Sequence, residues 1–163
     1  MGQVMLITDD VKKYMQESIL CWLGTSNKLN QPDVSPKQLF IPGQGDQILI
    51  AELMPHISIS NIQQNPLVCV SFINSFTQNG YKTNGTAEVI SPDNKRFKEL
   101  SSPLMHMVNA NFSVLHLIVI DVKEVTPIIA PSYYFTEDTT EEEQIDHAIK
   151  TYHAQWSSNK SDE

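Results

Sequence analysis

Six strand-like runs, tight turns between several of them, and no repeated β-α-β spacing predict a mostly β fold with peripheral helices. The expected architecture is a six-stranded antiparallel sheet. In a chain of 163 residues, closing that sheet into a small barrel is an economical way to remove its exposed edges.

The elements follow in order. Residues 8–18 read as a helix, with Thr8 or Asp9 as cap and Val11, Tyr14, Met15 and Ser18 on one face. Residues 19–26 read as a strand ending near Gly24, and 27–31 as a turn. The returning strand, 33–40, contains Pro36, which demands an edge position or a bulge. A turn at 43–46 leads to a third strand, 47–52. A short helix over 55–64 is stopped by Asn65-Pro66. Two more strands follow, 67–74 and 81–90, the second interrupted by Gly85. A helix is expected over 93–108, capped by Ser91 with Pro92 at its first position. The sixth strand is 114–125. The last helix, 140–156, carries a capping box (Thr140 with Glu143) and a stripe of Ile145, Ala148, Ile149, Tyr152 and Trp156. One domain spans 1–156, and 157–163 reads as a disordered polar tail.

Composition narrows the function. Nineteen acidic against eleven basic residues give a net charge of -8. That argues against nucleic acid and anionic membranes as partners, since both require a basic patch. The longest strictly apolar run, Leu117-Ile118-Val119-Ile120, is far shorter than a membrane span. No signal peptide is visible, so the expected location is cytoplasmic. Cys21 and Cys69 sit in apolar runs without a CxxC motif and read as buried free thiols.

Motifs for other chemistries are missing. The five histidines have no HxxxH or HExxH spacing, so no metal site is expected. No GxSxG, GxGxxG or Walker pattern occurs. The acids from Glu137 to Asp146 read as solvent-facing groups that complement a helix dipole. An anion could sit at the helix start near Ser58, with Ser60 and Asn61 adding donors. Lys37 and Lys82, both on strands, could point into the same pocket.

Taken in order, several short stretches carry a resemblance. They are Cys21-Trp22-Leu23-Gly24-Thr25, Pro32-Asp33-Val34-Ser35-Pro36-Lys37, Ile48-Leu49-Ile50-Ala51, Asn61-Ile62 with Asn65-Pro66, Val68-Cys69-Val70-Ser71-Phe72-Ile73, Gly80-Tyr81-Lys82 and Gly85-Thr86-Ala87. Pro127-Ile128-Ile129-Ala130-Pro131-Ser132-Tyr133 and the run from Thr140 to Ile145 complete the set. Over about residues 8–156 the chain resembles the pyridoxamine 5'-phosphate oxidase-like family, and within it a small bacterial branch of oxidase-related FMN-binding proteins.

The resemblance implies a split β-barrel that forms a homodimer, with two FMN sites at the subunit interface. It implies contacts to the flavin from Val34, Ser35, Pro36 and Lys37, a phosphate cradle from Ile50, Ala51 and Glu52 to Ser58 and Asn61, and a clamp completed by Lys82. FMN demands such a set, because it joins a flat ring to a dianionic phosphate. The implied activity is a flavin-dependent oxidoreductase acting on a small molecule, with no residue assigned to catalysis.

One departure stands out. The branch reads Ser-Pro-Lys-Ser-Val-Arg-Asn-Ile at the phosphate helix, where this chain has Pro55-His56-Ile57-Ser58-Ile59-Ser60-Asn61-Ile62. Ile57 and Ser60 thus replace two cations, each worth roughly 1.5–3 kcal/mol as a charge-assisted phosphate contact. The alternative reading is therefore a cofactor-free split-barrel dimer that acts as a binding or scaffold module. A haem, a deazaflavin or an apolar aromatic compound in the same cleft is a third.

Overall fold

The computed structural model describes residues 6–136 and 139–160, with side chains as far as residue 153. Helix α1 (Asp9–Glu17) opens on Thr8, whose hydroxyl accepts from the Val11 amide at 3.3 Å. It buries Val11, Tyr14 and Met15, as the spacing requires. Strands β1 (Cys21–Ser26) and β2 (Pro32–Lys37) form a hairpin. Asn27 closes its turn by accepting from the amides of Leu29 and Gln31.

The strand count is seven, not six. The run expected to reach Phe40 stops at Lys37, and Phe40–Pro42 forms a separate short strand, β3. It pairs not with β1 but with β4 (Gln47–Glu52). Then come α2 (Ile57–Gln64), β5 (Leu67–Ile73), β6 (Gly80–Ile90), α3 (Phe97–Met105), β7 (His116–Ile128), α4 (Ser132–Phe135) and α5 (Glu141–Lys160). All pairings are antiparallel, in the order β2-β1-β5-β6-β7-β4-β3. This is a mostly β half-barrel with helices around it. Pro36 is accommodated because β2 is an edge strand.

Two cores explain the sequence pattern of β4 and β7. Ile48, Ile50, Ile118 and Ile120 face the barrel interior with Leu23, Val70 and Phe72. Leu49, Ala51, Leu117 and Val119 face the other way, against Ile90, Leu104 and Val114. Both faces of these strands are covered, so they read as unbroken apolar runs rather than as alternation. Gly85 marks the register shift between β6 and β7, where a Cβ would lie 2.4 Å from the Asp121 carbonyl oxygen.

The third helix differs from expectation. Residues 92–96 form turns, and α3 begins at Phe97 behind Arg96, which makes no side-chain cap. Ser91 spends its hydroxyl on the Asp93 carboxylate instead of capping. The capping box of α5 is formed: Thr140 Oγ1 accepts from the Glu143 amide and Glu143 accepts from the Thr140 amide, both at 3.2 Å. Of the expected stripe, Ala148 is buried, whereas Ile149 and Tyr152 stay largely exposed. The Trp156 side chain, Glu137, Asp138 and residues 161–163 lie outside the described residues; α5 itself continues to Lys160. No described helix is long and apolar enough to cross a membrane.

Candidate functional site

Strand alternation divides the candidate residues between two faces. Lys37 stands in a row with Cys21, Phe72 and Tyr81 across β2, β1, β5 and β6. Phe72 is fully buried in the barrel core, so this row points inward. The next row, Pro36, Trp22, Ser71 and Lys82, points outward. Lys37 and Lys82 therefore lie on opposite sides of the sheet and share no pocket within one subunit. Lys37 is 5% exposed and pairs with the buried carboxylate of Glu52 on β4. That ion pair crosses the open side of the barrel, from one edge strand to the strand beside the other edge.

Other polar side chains are buried along the same elements. Ser58 is fully buried, and Asn61 Nδ2 donates to Thr25 Oγ1 at 3.0 Å. Asp33 Oδ2, Ser35 Oγ and His116 Nδ1 are buried without a hydrogen-bond partner among the described residues, which leaves polar atoms open to a water or a ligand group. His116 is the register partner of Glu52. Ile50 is packed in the interior core and Ala51 in the opposite one, so neither side chain joins these polar groups.

The start of α2 offers little to an anion. His56 Nδ1 already accepts from the Ser58 amide at 3.2 Å. Ile57 presents an apolar side chain to solvent. Ser60 Oγ accepts from Gln64 Nε2 at 3.0 Å. No Lys or Arg occurs in α2.

The outer face carries a different feature. Gly24, Cys69 and Asn84 are register neighbours on β1, β5 and β6, and these small side chains floor a groove of about 560 Å³. Val34, Leu67, Lys123 and Glu124 wall it, and Asn84 Nδ2 donates to Glu124 at 3.0 Å. Its size falls within the ordinary range for small-molecule sites. Burial raises the Cys69 thiol pKa while nearby Lys82 pulls it down. Of the residues expected to bind a cofactor, only Val34 lines this groove. The signal for the rest was a glycine in the middle of β1, which often marks a close approach to the sheet.

A family model described as pyridoxamine 5'-phosphate oxidase matches residues 7–154. The chain belongs to the pyridoxamine 5'-phosphate oxidase family. Solved structures share its fold at low identity. HupZ of Group A Streptococcus superposes with a TM-score of 0.65 at 19% identity, over 74% of this chain and 93% of that one. An FMN-binding protein of Syntrophomonas wolfei gives 0.62 at 12%, over 74% and 84%. HutZ, a heme storage protein of Vibrio cholerae, gives 0.61 at 15%, over 75% and 94%. No curated protein matches the chain.

FMN can now be tested against these residues. Its phosphate requires cations or free amide donors. Here Lys37 is neutralised by Glu52, Lys82 is on the other face, and the α2 start carries Ile57 and a Ser60 tied to Gln64. Within one subunit these residues do not assemble the expected phosphate cradle. The ion pair should itself behave as a buried pair. Glu52→Ala is expected to cost about 3–5 kcal/mol in urea unfolding by stranding Lys37, and Lys37→Met/Glu52→Leu to recover most of that loss.

Proposed function

We propose that this protein is a homodimeric split-barrel binding module whose ligand is a flat aromatic molecule not held through a phosphate. The observation that carries this reading is the pairing of Lys37 with Glu52, which leaves no free cation at the start of α2. The outer groove supports the ligand class. Its small-residue floor offers backbone and short side chains on which a ring could lie flat, and Val34 and Leu67 add aliphatic surface to its walls.

The outer face also supports the dimer. Trp22, Val34 and Leu67 are exposed beside the groove, where a solvated sheet face would carry polar side chains. A second copy on this face would cover them and enclose the groove. Two unpaired cysteines suit a reducing, cytoplasmic setting.

Family membership favours a second reading, a flavin-dependent oxidoreductase that recognises the ring alone. A flavin supplies its own hydride chemistry when bound. The chain's residues would then bind and orient the ring and exclude water.

Titration of the purified protein with FMN and with riboflavin separates a phosphate-gripping site from the proposed one. The two affinities are expected to agree within about threefold, because α2 holds no cation and the lysine that lines the groove, Lys123, stands beside Glu124. Installing Ile57→Lys and Ser60→Arg should favour FMN by at least about tenfold. FMN binding more than about 100-fold tighter than riboflavin in the unaltered protein would overturn the proposal. Tight, equal binding of both, with oxidation of reduced nicotinamides, would select the oxidoreductase reading. Sedimentation at micromolar concentration is expected to give a dimer, and Trp22→Asp to dissociate it; a monomeric unaltered protein would contradict the quaternary assignment.

A further inference from the structure

A second cavity shares no lining residue with the outer groove. It measures about 250 Å³ and sits where α1, the start of β6, the end of β7 and α4 meet. Tyr14, Tyr81 and Tyr133 line it, together with Asp10 and Asn79. The Tyr14 and Tyr81 rings meet edge to face, with centroids 5.6 Å apart at 69°. They form two walls at a steep angle to each other.

The polar groups here share one sign. Tyr81 donates its hydroxyl to the Asp10 carboxylate, which, with burial adding to it, pushes the phenol pKa up to about 12. Tyr14 donates to Glu141 at 3.2 Å and Tyr133 to the Thr77 carbonyl at 3.3 Å. The phenol hydrogens are thus spent on acceptors. Asn79 Oδ1 takes the Ala130 amide at 3.0 Å, and its amide group faces the Tyr14 and Tyr133 phenols. No Lys, Arg or His lines the cavity. Asp10 and Glu141 have no ion-pair partner among the described residues. What remains for a guest is aromatic surface and carboxylate charge.

An anion would be repelled there, and a neutral polar guest would find few donors. An ammonium group satisfies both features, because ring faces and carboxylates each attract a cation. The Tyr14 ring already shows this property, with the Lys13 ammonium 5.6 Å from its centroid and outside the cavity. The volume is enough for about eight water-sized groups at ~30 Å³ each. We infer that the Tyr14–Tyr81–Tyr133 cavity is a binding site for a small organic cation, a quaternary or primary ammonium compound. This site is independent of the outer groove and of the flavin question.

The test uses the full chain, with choline as probe and 3,3-dimethylbutanol, its neutral counterpart of similar shape, as control. Binding is followed by calorimetry and by perturbation of the tyrosine ring signals in NMR spectra. Choline is expected to saturate in the millimolar range and to bind at least about tenfold more tightly than the alcohol. Asp10→Asn should weaken choline by about tenfold and leave the alcohol unchanged. Tyr81→Leu should abolish binding. Should that variant fail to fold, Asp10→Asn, altered at an exposed position, still decides the matter. Equal affinity for choline and alcohol, non-saturating shifts, or choline binding indifferent to Asp10→Asn would each overturn the assignment.

Discussion

The ion pair between Lys37 and Glu52 links the fold to the function proposed for this protein. Hydrogen-bonded ladders join the seven strands in one row, but β2 ends that row without a partner on its outer side. The pair reaches from β2 to β4 and fastens the open side through two buried charges. Such a pair contributes little net stability against an apolar replacement, yet breaking it leaves a charge stranded in the core. It therefore fixes which residues of β2 and β4 meet, and it commits Lys37 to the interior.

That commitment has a cost for anion binding. A lysine on β2 could serve a phosphate only while its charge is free, and Glu52 removes that freedom. The start of α2 offers no substitute, since Ile57 is apolar and Ser60 bonds to Gln64. The family fold is retained while the features that would grip a phosphate are weakened. The outer face keeps its groove, and in the proposed function a ligand there is held mainly by ring contact and shape. The tyrosine-lined cavity at the start of β6 has the opposite electrostatic preference to a phosphate site, consistent with a chain of net charge -8.

Much of this fold is legible in the sequence because its determinants are local. The Thr8 cap, the Thr140–Glu143 box and the edge position demanded by Pro36 all depend on neighbouring residues. Strand β3 is not legible, because three residues carry too little periodicity to separate it from the preceding strand. The start of α3 departs from the sequence pattern because Ser91 finds a nearer partner in Asp93. The site was the least legible part. Whether Lys37 and Lys82 share a face depends on register carried across four strands, and a shift of one residue reverses the answer. Nothing local in the sequence marks Glu52 as the partner of Lys37, fifteen residues away. The groove floor unites residues from three strands, of which only Gly24 carried a local hint.

The most direct test of the central claim is to observe the Lys37 ammonium group itself by nitrogen-15 NMR while inorganic phosphate and then FMN are added. A lysine held by Glu52 in the barrel interior should give a slowly exchanging ammonium signal that neither addition moves. A fast-exchanging signal, or one that shifts and saturates as phosphate or FMN is added, would show a free cation serving an anion site and would contradict the account.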